Sequence, residues 1–324
     1  MFELIFLGTS ASAPSIYRGL PAAVVLAGEH RFLIDCGEGT QRQILKSGIG
    51  FKRLNRILLT HGHLDHILGL GGLISTFMRW ESVDRLEIWA GTGTLNRVQD
   101  LIFGVVLRGA RPPMPIHLID LQPGLIFDSA KFTIQAFPVS HRGPDNFGFL
   151  FEERSHRPFL VDRAEALGIP AGPERGRLTR GESIRLADGR VIQPDDVLGP
   201  VVPGARLVYI GDIGRTDNLP GAIHGADALV MEATYLETEG DFAEDFGHMT
   251  AAGSARYAQA AGVKTLILTH LSRRNRERDI IGEARAIFPN TYVARDFDRF
   301  SVVKGKTTTR LEPTFDSRRA EVRE

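Results

Sequence analysis

Three imidazoles and a carboxylate fall within six residues in His61-Gly62-His63-Leu64-Asp65-His66, directly after the apolar run Arg56-Ile57-Leu58-Leu59-Thr60. Imidazole nitrogen and carboxylate oxygen are the ordinary ligands of zinc and its neighbours, and packing gives no reason to gather them. In an extended segment positions i and i+2 point the same way, so His61 and His63 can close on one ion. If the chain then turns into the helix that Ile67 to Met78 suggests, Asp65 and His66 face the same spot from the other side. That geometry supplies ligands for a second ion. An isolated His-x-His is common on protein surfaces; the full pattern after a buried strand is not.

Other ligand types stand at the ends of further apolar runs. Phe132–Pro138 leads into Ser140-His141, Leu207-Val208-Tyr209-Ile210 into Gly211-Asp212, and Leu266-Ile267-Leu268-Thr269 into His270. Strand ends of this kind converge at one edge of a sheet, where α/β proteins place their sites. Six of the ten histidines (His61, His63, His66, His141, His248 and His270) occupy such motif positions. His30, His117, His156 and His224 have no partner at ligand spacing and read as surface or structural.

The elements that must position these residues are short. Strands are expected at Ala22–Leu26, Arg31–Ile34, Arg56–Thr60, Leu86–Ala90, Phe132–Pro138, Phe147–Glu152, Leu207–Ile210, Ala228–Glu232, Thr265–Thr269 and Thr291–Ala294. Helices are expected at Glu38–Lys46, Ile67–Met78, Thr92–Leu101, Thr250–Ala261 and Asp279–Ile287. Helices interleaved with many strands indicate a layered α/β fold. With 324 residues and 43% hydrophobic residues the chain can bury a sizeable core. Lys+Arg and Asp+Glu both number 39, so a polyanionic partner would have to be held by a local patch or a metal, not by net charge. The single Cys36 excludes a disulfide framework and suits a reducing, cytoplasmic setting; it reads as a small buried residue at a strand end. The opening Met1-Phe2-Glu3-Leu4-Ile5-Phe6-Leu7-Gly8 reads as a first strand, not a signal peptide, because it has no basic leader and carries Glu3 in the apolar stretch. No apolar run approaches a membrane span in length, so no membrane association is expected.

One segment departs from this pattern. From Arg154 to about Gly204 the chain is rich in Gly, Pro and Arg, with eight Arg against five acids between Arg154 and Arg190. Such an insertion reads either as a protruding arm suited to phosphate contact or as a solvated loop. The tail from Lys304 to Glu324 reads as disordered.

The combined pattern resembles the tRNase Z (ribonuclease Z) family, tRNA 3′-end endonucleases of the metallo-β-lactamase fold, over roughly residues 2 to 300. The resemblance rests on Phe6-Leu7-Gly8-Thr9, Asp35-Cys36-Gly37-Glu38-Gly39-Thr40-Gln41 and the His61–His66 motif. It continues through His141 before Gly148-Phe149, the Gly172-Pro173 arm, Gly211-Asp212, Glu232-Ala233-Thr234, Gly247-His248-Met249-Thr250 and Leu268-Thr269-His270. It implies an αββα sandwich at residues 1–303 with an inserted tRNA-binding arm at about 154–203, in which Gly172, Pro173, Arg175 and Arg177 would meet substrate. It implies two zinc ions (other divalent ions being possible), one on His61, His63 and His141, the other on Asp65, His66 and His270, with Asp212 bridging. His248 would give a proton to the leaving ribose oxygen and Asp65 would take one from the attacking water. Glu232, ending a buried strand, could orient His248 or be merely structural. The substrate would be precursor tRNA and the enzyme a homodimer. Leu64, Ile213 and Met249 replace more usual Gly, Thr and Ser, and no Asn follows Arg18; none of these departures removes a ligand.

Two other readings compete. A small-molecule hydrolase of the same fold, such as a cyclic-nucleotide phosphodiesterase or thioester hydrolase, would share the ligands but has no use for a basic arm. An inactive RNA-binding module would require lost ligands, and all seven are present.

Overall fold

The structure is a computed structural model and describes residues 1–80 and 83–311. Its chain divides into two compact units, one built from Met1–Glu152 and the chain from Ala205 on, the other from Glu153–Gly204.

The larger unit contains two sheets. In the eight-stranded sheet the order is Thr309–Leu311, Arg299–Val302, Phe2–Gly8, Ala22–Ala27, His30–Ile34, Arg56–Leu58, Leu86–Ala90 and Ile116–Asp120. The seven-stranded sheet runs Thr291–Val293, Leu266–Thr269, Ala228–Glu232, Arg206–Tyr209, Phe147–Glu153, Phe132–Pro138 and Gly124–Asp128. The inward-facing residues of both sheets, among them Phe2, Phe6, Phe32, Phe149, Phe151, Tyr209, Val230 and Phe300, form one buried core. Two further cores sit on the outer faces. One packs Ile44, Leu73 and Phe77, from helices Thr40–Ser47 and Leu70–Trp80, on the first sheet. The other packs Ala255, Ala258, Ile280 and Ala284, from helices Ala251–Ala260 and Glu277–Ile287, on the second. Two sheets between two helical layers are the αββα arrangement expected.

Each sheet has a parallel half. His30–Ile34, Arg56–Leu58, Leu86–Ala90 and Ile116–Asp120 run parallel, as do Arg206–Tyr209, Ala228–Glu232, Leu266–Thr269 and Thr291–Val293. Parallel strands all end at the same edge, so the ligand types at their ends are delivered together. The backbones there approach closely, as where Phe147 N–H donates to the Thr60 carbonyl at 2.8 Å. A Cβ on Gly211 would lie 2.9 Å from Thr60 Oγ1, so only glycine allows Asp212 to follow its strand at that separation.

The structure departs from the sequence reading in several places. The Arg56 strand ends at Leu58, because Thr60 onward turns into the site. The helix expected from Ile67 is split into Leu64–Ile67 and Leu70–Trp80 around Gly69, whose amide donates to the Cys36 carbonyl. The tail is ordered as far as Leu311, not disordered from Lys304. Lys304 lies 3.6 Å from the buried carboxylate of Asp227, Thr308 is buried, and Thr309–Leu311 pairs with Arg299–Val302. The remainder of that tail lies outside the described residues. Cys36 is buried, as read, and burial pushes its thiol up.

The smaller unit has helices Val161–Ala166, Pro173–Thr179 and Pro194–Val197, a hairpin of Ile184–Arg185 with Val191–Ile192, and its own core of Ala164, Ile169, Leu178, Ile184, Ile192 and Val197. It is therefore folded structure and not a solvated loop. Its eight arginines are matched by eight acids, since Glu153, Asp195 and Asp196 also belong to it. Several arginines hold the unit together: Arg157 donates to the Gly199 carbonyl at 2.7 Å, Arg175 to the Ile169 carbonyl at 2.8 Å, and Arg177 pairs with Glu182 at 3.0 Å.

Gly37 makes a tight demand on the site's support. A Cβ there would sit 2.4 Å from the Asp65 carbonyl and 2.5 Å from Leu20 Cβ. Gly37→Ala is expected to lower stability by about 1–3 kcal/mol, read as a lower denaturant midpoint at unchanged m. An unchanged midpoint would mean that the helical turn bearing Asp65 does not dock against Gly37.

Candidate metal centre

Asp212 lies at the middle of the strand-end cluster, its side chain only 2% exposed. Its two oxygens face different partners. Oδ2 is 3.7 Å from His61 Nε2 and 3.8 Å from His141 Nε2, while Oδ1 is 3.5 Å from His66 Nε2 and 3.3 Å from His270 Nε2. His63 Nδ1 joins the first side, 2.9 Å from His61 Nε2 and 3.4 Å from His141 Nε2. Asp65 Oδ2 joins the second, 3.7 Å from His270 Nε2 and 3.8 Å from His66 Nε2. Three overlapping groups able to hold a cation result: His61, His63, His141 and Asp212; Asp65, His66 and His270 alongside the other Asp212 oxygen; and Asp212, His248 and His270. The structure thus brings together all seven residues expected from the sequence as ligands.

The donor chemistry fits divalent cations. His66 Nε2, His270 Nε2 and Asp212 Oδ1 are buried without a hydrogen-bond partner, and orphaned buried polar atoms are costly unless something satisfies them. Burial, with neighbouring imidazoles, holds His61 well below its ordinary pKa, and burial also lowers His63 and His141. Neutral imidazoles offer the lone pairs a metal needs. On the other side burial pushes His66 down, but Asp212 and Asp35 pull it well above its ordinary value. Two carboxylates in a buried site demand positive charge, and a cation would meet that demand as an imidazolium does.

His61, His66, His141 and His270 are fixed by their second nitrogens, and two buried carboxylates do most of the fixing. Asp35 Oδ2 accepts from His66 Nδ1 at 2.8 Å, and its carboxylate also takes the Thr60 hydroxyl, whose oxygen lies 3.0 Å from His61 Nδ1. Glu232 repeats the arrangement in the other sheet. It accepts from His248 Nδ1 at 2.9 Å and from the Thr234 hydroxyl, whose oxygen lies 2.9 Å from His270 Nδ1. His141 Nδ1 donates to the Gly247 carbonyl at 2.6 Å. Such partners choose the tautomer and aim the ligand nitrogen. Asp35 and His270 both adopt left-handed backbone conformations, with φ of 58° and 56°, strain of a kind that concentrates at functional sites.

His248 is placed differently. Its Nδ1 is 3.9 Å from Asp212 Oδ2, and its ring stacks 5.4 Å from that of His270. Burial would lower its pKa, but the charge and hydrogen bond of Glu232 hold it up at about 9. Glu232 therefore favours the protonated form of this residue. It sits two positions before Thr250, whose side chain caps helix Ala251–Ala260, and it lines a cleft of about 610 Å³ with Arg142 and Arg215. A second cleft of about 300 Å³, lined by His61, His63 and Arg97, adjoins the site.

Sequence comparison accords with this geometry. The model of the beta-lactamase superfamily domain matches residues 30–161 and 177–271. Ribonuclease Z of Bradyrhizobium diazoefficiens is 49% identical over 302 residues, covering 93% of this chain and 100% of that protein. The chain belongs to the ribonuclease Z family. The ribonuclease Z of Methanothermobacter thermautotrophicus is 36% identical over 91% of the chain and 95% of its own length. Among solved structures, the short form of human tRNase Z superposes with a TM-score of 0.64 at 25% identity, covering 93% of this chain and 99% of that one. Yeast PDE1 superposes at 0.62 with 13% identity over 93% of this chain and 99% of that one, a likeness of fold alone.

Sequence reasoning gave no role to Asp35, Thr60 or Thr234. Asp35 ends an apolar strand just as the ligands do, and that position was the available signal. Replacing Asp35 by Asn presents an N–H where His66 Nδ1–H needs an acceptor. Metal affinity is expected to fall about 10–100-fold, measured by chelator competition; wild-type affinity would show that Asp35 does not position His66.

Proposed function

We propose that the chain removes the 3′ trailer from precursor tRNA, leaving a 3′-hydroxyl on the tRNA and a 5′-phosphate on the trailer. In this reading it works in the cytoplasm, as a homodimer, with two zinc ions per subunit. One ion is held by His61, His63 and His141, the other by Asp65, His66 and His270, and Asp212 is shared. The reading is carried by one observation: a ligand set complete on both faces of Asp212, in a chain matched over nearly its whole length by ribonuclease Z relatives. Imidazole and carboxylate donors suit zinc among the divalent ions.

When bound, such a pair of cations lowers the pKa of water and neutralises charge building on the phosphoryl oxygens. The chain's residues handle the protons. Asp65 is the most exposed acid of the cluster, at 14%, and Ser12 N–H donates to its Oδ2 at 2.9 Å. Burial raises its carboxyl, yet the neighbouring imidazoles of His270 and His66 hold it below the usual range, so it stands ionised to take the proton of the attacking water. As the P–O3′ bond breaks, the leaving oxygen needs a proton. His248 carries one, and Glu232 on Nδ1 leaves Nε2 free to deliver it. Arg142 and Arg215 in the adjoining cleft supply charge for flanking phosphates.

The Glu153–Gly204 unit is read as the arm that meets the tRNA body, with Gly172, Pro173, Arg175 and Arg177 near its contact surface. Because its charges balance and Arg175 and Arg177 have internal partners, contact would depend on arginine geometry and not on net charge. Exposed Arg163 has no ion-pair partner among the described residues and joins the candidates.

Four outcomes test this reading. A precursor tRNA with a 3′ trailer should be cut to a 3′-hydroxyl product, and a chelator should abolish the cut; intact precursor under metal-replete conditions would refute the assignment. His248→Ala is expected to lower the cleavage rate about 10²–10⁴-fold while both metals stay bound. Glu232→Gln removes the charge that raises the His248 pKa. The donor must be protonated, so activity falls as pH rises through that pKa, and the descending limb of the rate profile should move to lower pH. A limb that stays in place would separate Glu232 from the proton donor. Deleting the arm tip around Gly168–Arg180 should raise KM for precursor tRNA, with a loss that shrinks as salt weakens the phosphate contacts. An equal loss on a nitrophenyl phosphodiester would make the arm a support of the site and not a substrate contact.

A further inference from the structure

Beside His248 the larger unit exposes an aromatic ledge that the hydrolytic chemistry does not use. Helix Gly240–Phe246 presents Phe242 and Phe246 one turn apart on one face, with their rings 6.4 Å apart and inclined by 21°. The ring of Tyr235 continues the row, 6.5 Å from Phe242 and inclined by 23°, and lies 6.1 Å from the His248 ring. Phe242 and Phe246 remain 47% and 42% exposed, a poor arrangement for groups whose only task is packing. Arginines flank the row: Arg274 stands over Phe242 at 5.4 Å and Arg142 over Phe246 at 5.1 Å. Tyr235, Phe246 and Arg274 also line a cleft of about 630 Å³. The helix is acidic: Asp241 and Glu244 lie off the Phe242–Phe246 face at 100° per residue, Asp245 lies at its edge, where Arg142 donates to its backbone carbonyl at 3.3 Å, and Glu239 is engaged by Asn275 and the Leu236 amide.

Near-parallel exposed rings with guanidinium groups above them are the features of a platform for unstacked bases, since every base has a π face and every linkage a negative charge. We infer that Tyr235, Phe242 and Phe246 form a stacking platform for the unpaired nucleotides on the 5′ side of the cut, the 3′ end of the tRNA product. The inference rests on the function proposed above, and the side follows from His248. The oxygen that His248 protonates stays with the nucleotide 5′ to the scissile phosphate, so the base nearest His248 belongs to the product and not to the trailer. Arg142 and Arg274 then meet the phosphates of that segment.

The test uses the full-length, zinc-loaded enzyme and precursor tRNAs with abasic residues at the last two positions before the cut or at the first two of the trailer. Phe242→Leu with Phe246→Leu keeps apolar bulk and removes the π faces. This double variant is expected to raise KM for the intact precursor about 5- to 100-fold, with a much smaller change in kcat. Fluorescence anisotropy should show the same loss of affinity for labelled mature tRNA, and Phe242→Tyr with Phe246→Tyr should restore it. Abasic residues before the cut should impose the same loss on the wild type and no further loss on the Leu variant, because one interaction is then removed twice. Full additivity, or a loss reproduced only by abasic residues in the trailer, would overturn the assignment. A lower oligomeric mass of the Leu variant would also overturn it, placing these rings against a second copy of the chain. If the wild type fails to cut precursor tRNA, the proposed function fails. Anisotropy then decides the platform separately: tRNA binding sensitive to the Leu substitutions supports it, and absent or insensitive binding removes it.

Discussion

A single buried carboxylate with its two oxygens turned to opposite sides is the constraint on which the site depends. Asp212 places Oδ2 toward His61 and His141 and Oδ1 toward His66 and His270, all between 3.3 and 3.8 Å. A buried carboxylate this poor in hydrogen-bond donors is unfavourable unless positive charge meets it on each face. The surrounding imidazoles must therefore present lone pairs inward, and that in turn requires an acceptor at each outer nitrogen. Asp35 meets the requirement at His66 directly and at His61 through Thr60, and Glu232 meets it at His270 through Thr234 while also holding the proton donor His248. The two sheets thus contribute equivalent supports, and Asp212 lies where they meet.

The same constraint explains why the backbone is strained and glycine-rich just there. Six strand ends must be brought within side-chain reach, which leaves no room for a Cβ at Gly211 against Thr60 or at Gly37 against Asp65. Asp35 and His270 accept left-handed conformations to turn their side chains into the cluster. Outside the cluster the fold is ordinary: an aromatic-rich core between the sheets and aliphatic cores beneath the helices.

Much of this could be read from the residues. The His61–His66 motif, and the recurrence of His or Asp after apolar runs at His141, Asp212 and His270, located the cluster because ligand types have little other reason to follow buried strands. The supports were harder to see. Thr60 and Thr234 are common residues in common places, and only the fold shows that each hydroxyl relays a carboxylate to an imidazole. Edge strands such as Ile116–Asp120 and Gly124–Asp128, half exposed, lack the apolar continuity that marks central strands and escaped notice. The order of residues 304–311 depends on Asp227, a carboxylate distant in sequence that draws in Lys304, and local composition carries no trace of it. In the smaller unit an arginine count suggested a basic surface, whereas much of that charge is balanced internally by acids such as Glu182 and Asp188.

The most direct test of the account is a calorimetric zinc titration of the metal-free protein and of its Asp212→Asn variant, with folding monitored in parallel. If one carboxylate unites both sites, the wild type should take up two equivalents and the folded variant should lose tight binding at both sites together. A folded variant that still bound two equivalents with wild-type affinity, or a wild type that saturated at one, would contradict the shared role of Asp212.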